Sequence, residues 1–170
     1  MAFSRKDFLL GLGGLTASAA FDSAGWLAKR EMLTREAERL QSAYSNCLSR
    51  VSEAAEDVVV PLETFPNGSV KSSVFAKKAV FFLDTGLVWA SGVCVKKQDE
   101  EGNVRSQIDA QSCVIDRTTK SGWAEGTARL RHGTTEFVGE GVYFSSPEGY
   151  VSVMRKSRIV SRDLKFGGLQ

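Results

Sequence analysis

The sequence predicts a mainly β fold, an antiparallel sheet folded over itself as a sandwich, jelly roll or barrel, with one long helix in front of it. Three observations carry this. Six β-rich runs between Ala79 and Val160 are separated by Gly, Asp and Asn. The spacing between them leaves no room for crossover helices, which parallel strands would need. Ahead of them, apolar or small residues recur at heptad steps from Trp26 to Val58. The composition agrees: 170 residues, 42% hydrophobic and 25% charged, is that of an ordinary globular domain and excludes disorder and collagen.

Taken in chain order, residues 1–20 begin with Arg5 and Lys6, continue through an apolar, Gly-interrupted stretch from Phe8 to Leu15, and reach small residues at Ala17 and Ala19. This is the layout of an export signal with cleavage after Ala19. Ser4-Arg5-Lys6-Asp7-Phe8-Leu9 resembles the twin-arginine motif, with Lys in place of the second Arg. An uncleaved short anchor and an amphipathic helix of a cytoplasmic protein are the other readings, because Phe8–Ala20 falls short of the roughly 20 residues a membrane span needs.

Residues 22–58 read as one helix. Its seam is Trp26, Leu33, Ala37, Leu40, Tyr44, Cys47, Val51, Ala54 and Val58, and Thr34, Arg35, Glu36, Glu38 and Arg39 fill the outer face. The seam is open to a second copy, to a partner's helix, or to the chain's own β domain. Pro61 and the turn Phe65-Pro66-Asn67-Gly68 end helical continuation, so residues 59–165 form the β domain and 166–170 a tail. The expected strands are Ala79–Leu83, Leu87–Lys97, Val104–Ile115, Gly122–Leu130, Glu136–Phe144 and Tyr150–Val160.

Within the β domain, Trp89-Ala90-Ser91-Gly92-Val93 is echoed by Trp123-Ala124-Glu125-Gly126-Thr127 and, more distantly, by Phe137-Val138-Gly139-Glu140-Gly141-Val142. A small residue where each strand bends lets a sheet coil without steric cost. Leu87, Trp89, Val93 and Val95 are assigned to one face of their strand, which must be covered by a packed core or by an apolar ligand.

Several function classes are set aside. With 22 basic and 20 acidic residues the net charge is +2, and no basic stripe marks a nucleic-acid surface. The single histidine, His132, sits in a turn-like stretch without a metal-ligand cluster, and the local signatures of hydrolase, nucleotide-binding and zincin chemistry are missing. No enzyme activity, metal or cofactor is expected. The cysteines number three, so export would leave at least one unpaired, and Cys94 with Cys113 is the candidate disulfide against two buried free thiols.

The stretch from Ala79 to Lys165 resembles the periplasmic lipopolysaccharide-transport proteins of the LptC and LptA (OstA-like) type. The residues carrying the likeness are Ala79-Val80-Phe81-Phe82, Trp89 to Val95, Gly102-Asn103-Val104, Ile108-Asp109-Ala110, Val114-Ile115-Asp116, Trp123 to Gly126 and Phe137 to Phe144. The resemblance implies a twisted, incompletely closed jelly roll whose apolar trough holds lipopolysaccharide or another acylated lipid. It implies Phe82, Trp89, Val93, Val95, Ile108, Val114, Trp123, Phe137, Val142 and Phe144 as trough lining. It further implies edge strands at Val58, Val59 and Val60 (within Val58–Leu62) and at Ile159 and Val160 (within Ser157–Ser161), which join other jelly-roll proteins and an inner-membrane transporter into a periplasmic bridge. Two features depart from that family: the short Gly-rich export segment is followed by a long helix instead of running almost directly into the β domain, and the β region is short, offering fewer rungs of jelly roll. The alternative is an exported interaction module whose helix oligomerises and whose β domain binds a protein.

Overall fold

The computed structural model describes residues 6–9 and 23–161. A short strand β1 (Lys6–Leu9) precedes helix α1 (Ser23–Ser49), and seven long strands follow: β2 (Ala55–Thr64), β3 (Val70–Phe82), β4 (Leu87–Gln98), β5 (Val104–Asp116), β6 (Ser121–His132), β7 (Thr135–Ser145) and β8 (Tyr150–Ser161). All are antiparallel in one sheet of order β1-β8-β7-β6-β5-β4-β3-β2, so every long strand lies beside its sequence neighbour. No ladder joins β2 to β8 among the described residues, and the sheet is open.

The six expected strands are all present, and the strand content begins earlier than the sequence suggested. The residues 70–78 belong to β3, although Lys71, Ser72, Ser73, Lys77 and Lys78 dilute their apolar signal. The helix is correspondingly shorter than 22–58. It stops at Ser49, where the amide of Arg50 turns back to the Cys47 carbonyl at 2.9 Å and the Ser49 hydroxyl donates to Asn46 O at 2.8 Å. Val51 and Ala54 still pack beside the helix core, but Val58 is already in β2. β1 lies in the segment read as an export signal and pairs with Tyr150–Val153; the rest of that segment, and the tail 166–170, lie outside the described residues.

A transverse row of irregularities folds the sheet. Gly92 lies opposite Lys77, Gln111 stands between the paired residues Ala110 and Ser112 where the β5–β6 register shifts, and Gly126 falls inside the Ala124/Thr127 shift between β6 and β7. Gly92 and Gly126 have φ of 61° and 74°, a left-handed backbone that glycine adopts without a Cβ penalty. The Trp-Ala-x-Gly repeat has this cause. Trp89 and Trp123 both pair with Val114 from either side, Ala90 and Ala124 both pair with Cys113, and each glycine then meets the row of bulges.

Across the row, the inward set switches phase: Val88 and Ala90 point to the same core as Val93 and Val95, and Ile108 to the same core as Cys113 and Ile115. One face of the folded sheet therefore closes on itself. That core runs from Val60 and Leu62 on β2 to Val151 and Val153 on β8. The opposite face, on the half of the sheet that holds the turns 83–86, 117–120 and 146–149, is covered by α1 through Leu33, Ala37, Leu40, Tyr44 and Cys47. Arg39 bonds Asp116 at 2.6 Å, Tyr44 Oη lies 2.6 Å from Ser112 Oγ, and Arg50 reaches Asp84 and stands over the Phe82 ring.

Candidate functional site: the seam of the folded sheet

The two ends of the sheet meet without forming a ladder. Ser146, in the β7–β8 turn, donates to Glu63 Oε2 at 2.8 Å, and its oxygen is 2.7 Å from Ser72 Oγ on β3. Ser72 is 2% exposed, while Ser146 and Glu63 are half-buried, so the clasp is anchored in the core on its β3 side. It fixes the far end of the β2–β3 hairpin against a turn at the opposite end of the sheet.

Beside the clasp runs an apolar slot lined by Ser72, Val95, Ile108, Leu130, Phe144 and Val151, with a free volume of about 50 Å³. That is room for one or two waters and far less than a long acyl chain occupies. The inner residues satisfy one another.

The ten residues proposed as trough lining divide between two faces. Val93, Val95, Ile108, Val142 and Phe144 belong to the inner core, with Phe137 packed against it. Phe82, Trp89, Val114 and Trp123 belong to the helix-covered face. The assignment of Leu87, Trp89, Val93 and Val95 to one face therefore needs correction: the bulge at Gly92 moves Leu87 and Trp89 to the side opposite Val93 and Val95. Simple alternation cannot see such a reversal.

The proposed edges lie where the chain order puts them. Val58, Val59 and Val60 are on β2, the last strand of the sheet, with Val59 exposed and Val60 turned into the core. Ile159 and Val160 are on β8 beyond the four residues that β1 covers, and Ile159 is exposed. The exposed side chains of β2 include Glu56 and Asp57, whereas those of β8 include Arg155 and Arg158.

The proposed Cys94–Cys113 disulfide is not formed; all three cysteines are free. Cys113 pairs with Ala90 and Cys94 with Asp109. The offset of four residues is roughly 13 Å along the strand, about twice the span a disulfide bridges. The two also face opposite ways, because Cys113 is in the inner core while Cys94 shares its row with the exposed Phe75. Burial pushes the Cys113 thiol up to about 12, and burial together with the Asp109 carboxylate pushes Cys94 to about 11.

His132 closes β6, its Nδ1 buried without a hydrogen-bond partner. Sequence reading missed the clasp, since Ser72 and Ser146 carry no local signature and meet only because the sheet folds. Leu130 and Val151 were legible as apolar strand residues in Gly122–Leu130 and Tyr150–Val160, yet nothing local sets them on the same slot. No protein-family model matches the chain, and no curated protein does.

Proposed function

We propose that the chain is a non-enzymatic envelope protein of the lipopolysaccharide-transport type, with a twisted open jelly roll that takes up acyl chains between its folded halves and passes them along a periplasmic bridge. The observation that carries this reading is the seam: β2 and β8 contribute to one apolar core and have no backbone ladder between them. Parting the seam costs side-chain contacts and the serine clasp but no strand pairing. An acyl chain entering would regain about 0.8 kcal/mol per methylene buried. Val93, Val95, Ile108, Phe137, Val142 and Phe144 are then the lining, while Phe82, Trp89, Val114 and Trp123 hold the helix.

The edges support the bridge. An unpaired strand recruits another through main-chain hydrogen bonds, and the acidic β2 edge and basic β8 edge complement each other head to tail. The alternative, oligomerisation through the helix, is less favoured, because Leu33, Ala37, Leu40, Tyr44 and Cys47 are already buried on the chain's own sheet. Native mass spectrometry of protein purified from a Gram-negative envelope, followed by lipid extraction, tests the reading. An acylated lipid bound one to one is the expected result, and protein that is lipid-free under every extraction condition overturns it.

A further inference from the structure

A second cleft, of about 380 Å³, lies where Pro61 and Leu62 of β2 cross the turns of the opposite end of the sheet, and its other walls are Gly86, Arg117, Thr118 and Lys120. Its charges are unbalanced. Neither Arg117 nor Lys120 forms an ion pair among the described residues. The carboxylates next in sequence to the cleft-lining residues are engaged elsewhere: Asp116 accepts from Arg39 and from the amides of Thr118 and Thr119, Asp84 from Arg50, and Glu63 from Ser146. The turn is fixed, with the Lys120 amide donating to Asp116 O at 2.8 Å and the Lys120 carbonyl accepting from the Ser146 amide at 3.0 Å. Lys120 itself has φ of 55°. Arg117, Thr118 and Lys120, all carrying side-chain hydrogen-bond donors, thus line one concavity.

The opposite wall is apolar and continuous with the inner core, because Leu62 lines the cleft and is itself a core residue, 6% exposed. We propose that this cleft binds the phosphate headgroup of an acylated lipid, with Arg117 and Lys120 pairing the anion and Leu62 marking where the chain enters the seam. This rests on the lipid reading above and adds the anionic end of the ligand. A phosphate held there sits beside the Ser146 clasp, so head recognition and seam opening occur at the same place.

The test is titration of the full chain, and of R117Q/K120Q, with three probes: decanoyl lysophosphatidate, decanoylglycerol and glycerol phosphate. Both substitutions are at a surface turn, and thermal melts establish that the variant folds. Lysophosphatidate is expected to bind most tightly, and the variant to lose roughly tenfold or more for it with decanoylglycerol unchanged. Equal binding of the two acyl probes, or a variant that binds lysophosphatidate as the parent does, overturns the cleft and leaves the lipid reading standing. Glycerol phosphate binding that the variant loses, with no extra affinity from the acyl chain, keeps the anion site and overturns the lipid reading. Binding of none of the three overturns both.

Discussion

Ser72 Oγ and Ser146 Oγ lie 2.7 Å apart although they are 74 residues apart in the chain. Through Glu63, which accepts from Ser146, this pair ties the β2–β3 hairpin to the β7–β8 turn, where β2 and β8 have no ladder between them among the described residues. A part-buried hydroxyl pair contributes only about 1 kcal/mol net, small enough for a ligand to displace.

Replacing both serines by alanine is therefore expected to lower stability by about 1–2 kcal/mol and to speed amide exchange in β2 and β8 more than in β5. Hydrogen exchange followed by mass spectrometry checks the ordering. Uniform acceleration across the sheet would mean that the clasp does not guard the seam.

The helix is anchored differently, by the exposed Arg39 bonding both Glu36 and the buried Asp116. The Arg39 hydrogen bond holds the Glu36 carboxyl below its ordinary value of 4.5, against the opposing effect of burial. The carboxylate is the form favoured by folding, so its contribution is complete above pH 4.5 and is lost as the pH falls through the depressed folded value. The stability difference between the parent and Glu36→Gln should shrink across that acid range, as read from denaturant midpoints. Arg39→Ala should cost about 1–3 kcal/mol at neutral pH, because Asp116 would be left without its cation.

Gly122 has no room for a side chain. A Cβ there would stand 2.3 Å from the Phe144 ring and 3.0 Å from the Val114 carbonyl. Gly122→Val should destabilise by about 1–3 kcal/mol or more through overpacking, and truncating Phe144 to Leu in the same chain should recover part of the loss. Thermal unfolding of the single and double variants measures this.

The thiols offer a check on register. With Cys113 in the core and Cys94 raised by burial and Asp109, neither should be alkylated appreciably by iodoacetamide at pH 8 before unfolding, and reduction should leave the intact mass unchanged. A loss of two hydrogens between Cys94 and Cys113 would contradict the strand pairing.

Most of the strands, the turns between them and the helix seam were legible because each rests on local period and on turn residues, whereas β1 and residues 70–78 of β3 were not. Gly68 and Gly102 close turns at positive φ where the sequence had placed them. The seam of α1 was readable from Leu33 to Cys47, and its partner was one of three open readings, decided by long-range packing on Val114 and Trp123. The division of the apolar residues was not legible. Gly92 and Gly126 were recognised as points where a sheet can bend, but the phase reversal they produce depends on the irregularities aligning across β4, β5 and β6. That alignment sends Trp89 to the helix and Val93 to the inner core. The contact of Ser72 with Ser146 likewise follows from the fold and from nothing near either residue.

The most direct test of lipid uptake between the folded halves places a photoreactive amino acid at Ile108 or Phe144 on the inner face, and at Phe82 under the helix, in protein loaded with lipid in the envelope. The account predicts lipid adducts at Ile108 and Phe144 and none at Phe82. Adducts at Phe82 alone, or at none of the three in a folded protein, would contradict it.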